Sequence, residues 1–105
     1  MRHKPSDIVN QKLFRLKSNA DAAHAQLLNV SEQVRDTRDQ FHALDRHRAS
    51  LKARGHQLTA FDQKQLDDLA KRLASLLSTQ ELARANHKAR RKIADRCEKV
   101  VLHGA

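Results

Sequence analysis

The side chains able to do chemistry in this sequence are one thiol, seven imidazoles and a large excess of cations. The imidazoles are His3, His24, His42, His47, His56, His87 and His103. No two stand four residues apart, the spacing that turns two imidazoles on one helix toward a shared metal. His42 and His47 are five apart and point to different sides. His3 and His103 can meet only at one end of the molecule, where like charge disfavours a bound cation. His24, His42 and His87 fall beside an apolar seam. No second cysteine accompanies Cys97, so an intramolecular disulfide is excluded. Cys97 lies on an apolar stripe and reads as a small buried hydrophobe. No base or oxyanion donor is spaced to activate it. Asp67 and Asp68 are adjacent, so on a helix they diverge by about 100° and cannot work as a carboxylate pair. The expectation is a non-enzymatic protein with no metal, no cofactor and no small-molecule substrate.

The cations are the stronger signal. Lys and Arg number 21 against 12 Asp and Glu, a formal net charge of +9. Residues 1–17 hold five bases (Arg2, Lys4, Lys12, Arg15, Lys17) and one acid, Asp7. Residues 84–99 hold seven bases and two acids, Asp95 and Glu98. Residues 18–83 hold nine of each. The whole net charge therefore lies in two terminal segments. On a helix Arg84, Lys88 and Arg91 form one row, completed by Asp95. Lys92, Arg96 and Lys99 form a second, with Arg90 beside them. Rows of this kind can follow phosphates, each neutralised phosphate releasing counterions. They are equally the dress of a solvated helix, whose long basic side chains cover apolar surface. Convergence of the two segments favours the phosphate reading. The residues expected to carry it are Lys12, Arg15, Arg84, Lys88, Arg90, Arg91, Lys92, Arg96 and Lys99.

Sequence-specific recognition has little support. No helix-turn-helix or zinc-finger spacing occurs, and Phe14, Phe41 and Phe61 are the only aromatics apart from histidine, too few for a base-stacking platform. The expected partner is the backbone of DNA or RNA. The alternative is a protein–protein adaptor or small helical chaperone that docks on an acidic partner or joins a larger coiled coil, with self-association included. No apolar run is long enough to span a membrane or to form a signal peptide's apolar region. A cytoplasmic location is the expectation.

The elements that must position these cations are helices. Two glycines and one proline in 105 residues leave few breakers. Helix 1 is expected over about residues 7–54, capped by Ser6 or Asp7. Its seam is Val9, Leu13, Leu16, Ala20, Ala23, Leu27, Val30, Val34, Thr37, Phe41, Leu44, Arg48 and Leu51, alternately four and three apart. That is a heptad repeat, with Thr37 and Arg48 out of character. Gly55 follows Lys52 and Arg54 and reads as a helix end. Residues 55–58 form the loop, where Leu58 and Phe61 either close the hairpin core or stay open to a partner. Thr59 with Asp62 resembles a capping box. Helix 2 is expected over about 60–77, with Leu66, Leu69, Leu73, Leu76 and Leu77 as its stripe.

Beyond Leu77 the stripe moves. Leu82, Ala85, Ala89, Ile93, Cys97 and Val100 lie on another face, and about 120° of that rotation exceeds what supercoiling absorbs. The stretch Leu77-Ser78-Thr79-Gln80-Glu81-Leu82 carries a capping box and an apolar staple. A kink or break near Ser78 is therefore expected, followed by a third helix or continuation over about 79–102. An antiparallel register then sets Leu44 against Leu69, Phe41 against Leu73, Val30 against Leu82, Leu27 against Ala85, Ala23 against Ala89, Ala20 against Ile93, Leu16 against Cys97 and Leu13 against Val100. The expected fold is all-α: one elongated domain, a long antiparallel coiled-coil hairpin, with a three-helix arrangement as the alternative. A helix continuous through Ser78 would leave Leu82, Ala85 and Ala89 off the seam, to be covered by a second chain.

Overall fold

The computed structural model describes residues 5–103. It contains two α-helices, α1 (Pro5–Ala53) and α2 (Ala60–His103), which form a helical hairpin. No strand occurs among the described residues. α1 begins at Pro5 rather than at Ser6 or Asp7. Proline is favoured at a first helical position because its φ is already helical and its missing N–H would have had no partner there.

The turn between the helices is set by a few local bonds. Gly55 has φ +78°, the left-handed conformation that costs a side-chain-bearing residue free energy. The His56 N–H donates to the Leu51 carbonyl at 2.8 Å and the Gly55 N–H to the Lys52 carbonyl at 3.0 Å. This pair of bonds is the Schellman form of helix end. α2 is opened by Thr59, whose Oγ1 accepts from the Asp62 N–H at 3.1 Å. Its carbonyl takes the first helical bond, from the Gln63 N–H at 2.9 Å. Leu58 is half-buried, while Phe61 is 70% exposed. Of these two apolar residues at the turn end, then, only Leu58 helps to close the turn.

The chain forms two compact units, one from residues 29–80 and one from residues 1–28 with 81–105. In the first, Val34, Thr37 and Leu66 are buried, with Val30, Phe41, Leu44, Leu69, Leu73 and Leu76 half-buried around them. Its seam also holds Gln80, whose amide donates to Ser31 Oγ at 3.0 Å in a partly buried bond. In the second unit the buried residues are all alanines, Ala20, Ala23 and Ala94. Half-buried Leu13, Leu16, Leu27, Ala83, His87, Cys97 and Val101 extend that seam. No buried side-chain nitrogen or oxygen among the described residues lacks a hydrogen-bond partner.

No second helix start occurs at Ser78. α2 is one helix from Ala60 to His103, so the expected break, and with it a separate third helix, is replaced by continuous structure. The Thr79 hydroxyl donates back to the Ser75 carbonyl at 3.1 Å, a bond made within an intact helix rather than at a helix start. A new start would leave several backbone N–H and C=O groups without helical partners, and a capping box satisfies only some of them.

Continuity moves the seam by one residue from the expected register. Ala83, Ala94 and Val101 turn inward, where Leu82, Ile93 and Val100 were expected to pack. Leu82 is 73% exposed, Ile93 49% and Val100 55%. The expected pairings of Val30 with Leu82, Leu27 with Ala85, Ala23 with Ala89, Ala20 with Ile93 and Leu13 with Val100 are therefore corrected. One residue is about 100° of helix, enough to take a side chain out of a seam. Cys97 keeps its expected place on the inner face and is half-buried.

Candidate nucleic-acid interface

All nine expected phosphate-binding residues belong to the unit built from residues 1–28 and 81–105. All nine are exposed. The unit's sequence contains twelve of the Lys and Arg residues and five of the Asp and Glu, a formal +7 of the total +9. Arg2, His3 and Lys4, which belong to the expected basic start, lie outside the described residues.

The inner face of α2 in this unit is fixed by Ala83, His87, Ala94, Cys97 and Val101, spaced four and three apart apart from the gap at Arg90. At 3.6 residues per turn, the side chains about half a turn away from that face are Lys88, Lys92, Arg96 and Lys99, with Glu81, Ala85 and Asp95 among them and Arg84 at their edge. The basic rows thus occupy the outer face of α2. The physical cause is the heptad seam: once it is buried, the same period forces those positions outward.

Not every cation is equally available. Lys17 Nζ lies 3.1 Å from Glu98 Oε1 across the two helices. Arg91 Nε lies 3.6 Å from Asp95 Oδ1 on the same helix. The groove between these pairs is lined by Lys17, Asp21, Arg91, Asp95 and Glu98 together with Ala20 and Ala94. Three carboxylates and two cations make that groove close to neutral, so it offers nothing to an anion. Arg90 Nε points to Asn86 Oδ1 at 3.5 Å, a weak contact. Among the described residues, Lys12, Arg15, Arg84, Lys88, Lys92, Arg96 and Lys99 form no ion pair. Half-exposed pairs such as Lys17–Glu98 contribute about 0–1 kcal/mol. They pin side chains more than they stabilise the fold.

Lys12 and Arg15 sit one turn apart on α1. Arg15 borders a shallow hollow with Asp7, Asn10, Gln11, Phe14 and Ser18, on a face made by α1 alone. The structure therefore brings Lys12 and Arg15 into the same unit as the α2 rows but not into the same groove. The cross-helix pairings that the sequence did not reveal are Lys17 with Glu98 and His24 with His87. The rings of His24 and His87 stand 4.8 Å apart, tilted by 41°. His87 takes a seam position that an apolar residue would ordinarily fill, which is why an apolar count passes over it.

Among the described residues, no three His, Cys, Asp or Glu side chains gather as a metal site. No helix of the described residues is long and apolar enough to cross a membrane. The chain matches no protein-family profile, no curated protein and no solved structure.

Proposed function

We propose that this protein is a non-enzymatic helical accessory protein that holds DNA or RNA by its phosphates, through the outer face of α2 between Arg84 and Lys99. The observation that carries this reading is the concentration of formal charge: +7 of +9 in one unit, with five of its exposed cations on one helical face and free of ion pairs. Arg and Lys rows along a helix match the spacing of a phosphate track only loosely, so the contact reads charge and backbone rather than base sequence. Lys12 and Arg15 add to the field around the unit and draw a polyanion toward it.

The test is binding of nuclease-treated protein to short duplex DNA and RNA of unrelated sequences, followed by fluorescence anisotropy over a salt series. Affinity should be similar among sequences and should fall steeply with salt. The variant Lys88→Glu/Lys92→Glu/Arg96→Glu should lose most of the binding. Arg35→Glu/Arg38→Glu, a charge change in the other unit, should retain it. Absence of binding at low salt, or equal loss in both variants, overturns the proposal. Equal affinity for polyglutamate would favour the adaptor reading, in which the basic face meets an acidic protein.

A further inference from the structure

The basic rows leave one feature of the same unit unused. Along α2, Leu82, Ala85, Ala89, Ile93, Arg96 and Val100 follow one another at spacings of three and four, so that Leu82 and Ile93, Ala85 and Arg96, and Ala89 and Val100 are each eleven apart. An eleven-residue period stays close to straight on an α-helix. These residues therefore make a second stripe, turned by roughly 100° from the inner seam. Leu82, Ile93 and Val100 are 73%, 49% and 55% exposed, and Ala85 and Ala89 are exposed as well. One border of the stripe carries Lys92 and Lys99, and Arg96 is the one charged residue within it. Toward the other lies a shallow hollow lined by Ala22, Ala23, Gln26, Asn86 and Arg90.

We infer that this stripe joins a second copy of the chain, α2 against α2 and antiparallel, about a two-fold axis near Arg91. The inference does not rest on the phosphate-binding reading. Two observations support it. First, the stripe is self-complementary under such an axis: Leu82 of one copy meets Val100 of the other, and Ala89 meets Ile93, a small side chain against a large one. An isologous contact of this kind closes on itself and needs no other partner. Second, the antiparallel direction brings Glu81 of each copy beside Lys99 of the other and opposes the helix dipoles favourably.

The same geometry says what opposes the contact. Lys88 and Lys92 of both copies gather near the axis, where the one carboxylate at that level, Asp95, is already engaged by Arg91 of its own helix. Self-association is thus driven by apolar burial and resisted by like charge, so added salt strengthens it. Phosphate binding has the opposite dependence, which separates the two activities experimentally.

The experiment is sedimentation equilibrium of the full chain, freed of nucleic acid, in 0.1 M and 1 M NaCl, conditions over which the screening length falls from about 10 Å to about 3 Å. A monomer–dimer equilibrium is expected, with an association constant rising by about tenfold or more at high salt. The variant Leu82→Ser/Ile93→Ser/Val100→Ser should lower that constant by about tenfold or more at 1 M salt, consistent with lost apolar burial. Phe14→Ser, an exposed apolar change on α1, should leave it unaltered. Far-UV circular dichroism establishes that each variant stays helical. If the triple variant unfolds, the single change Ala89→Lys gives the same readout. A monomer at both salt concentrations overturns the inference. So does a dimer that survives the stripe variants, or a dimer equally weakened by Phe14→Ser.

Discussion

Replacing Leu82 by alanine distinguishes the continuous helix from a chain that breaks at Ser78. In the continuous helix Leu82 is 73% exposed, so about a quarter of its side chain is removed from water. Full burial of a leucine contributes about 1.5–3 kcal/mol, which makes the lost burial worth about 0.5 kcal/mol. Alanine's higher helix propensity returns a few tenths of a kcal/mol. The net change expected for Leu82→Ala is about 0–0.5 kcal/mol. If the chain instead restarted at Ser78 and turned Leu82 into the seam, truncation would cost about 2 kcal/mol or more. Leu27, half-buried in the same unit, supplies the internal reference, and Leu27→Ala should cost about 2 kcal/mol. Urea unfolding followed by far-UV circular dichroism reads both, at low protein concentration and low salt so that the chain is monomeric. With a slope of about 2 kcal/mol per molar urea, Leu27→Ala moves the midpoint by about 1 M and Leu82→Ala by about 0.2 M or less. Equal shifts for the two variants would refute the one-residue change of register and the second stripe built on it.

Two further outcomes follow from the same packing. Gln80→Leu puts an apolar residue at a half-buried seam position whose amide now reaches Ser31, and it should stabilise the hairpin by about 1 kcal/mol, seen as a higher urea midpoint; a destabilised variant would mean that the Gln80–Ser31 bond outweighs apolar burial there. Gly55→Ala meets no steric obstacle, since nothing lies within 4 Å of the added Cβ, but at φ +78° it should lose about 1 kcal/mol, and an unchanged melting temperature would show that the turn relaxes.

Part of this protein is legible residue by residue. The alternation of four and three from Val9 to Leu51 specifies a helix with one buried side, because only a period near 3.5 returns those side chains to one face. Gly55 and Thr59 mark where that helix ends and the next begins, because the chemistry of both ends is local. The confinement of net charge to residues 1–17 and 84–99 is a property of composition, and any antiparallel return brings those segments into one unit. The candidate interface was legible in part for the same reason: Arg84, Lys88, Lys92, Arg96 and Lys99 follow the helical period. The ion pairs that occupy Lys17 and Arg91 depend on side-chain reach within the folded unit. Only one of them, Arg91 with Asp95, has a spacing that shows in the sequence.

The sequence by itself determined an all-α chain, the turn between Gly55 and Thr59 and the two basic segments, since each depends on neighbours within a few residues; it did not determine that α2 runs on unbroken through Ser78. It did not determine which face of α2 turns inward after Leu77. There the larger apolar residues pointed to Leu82, Ile93 and Val100, whereas the folded chain turns Ala83, Ala94 and Val101 inward. Only the tertiary structure decided between them. The small seam of α1 at Ala20 and Ala23 admits a small residue as readily as a large one. An unbroken backbone hydrogen-bond ladder through Ser78 then fixes the phase of everything that follows it.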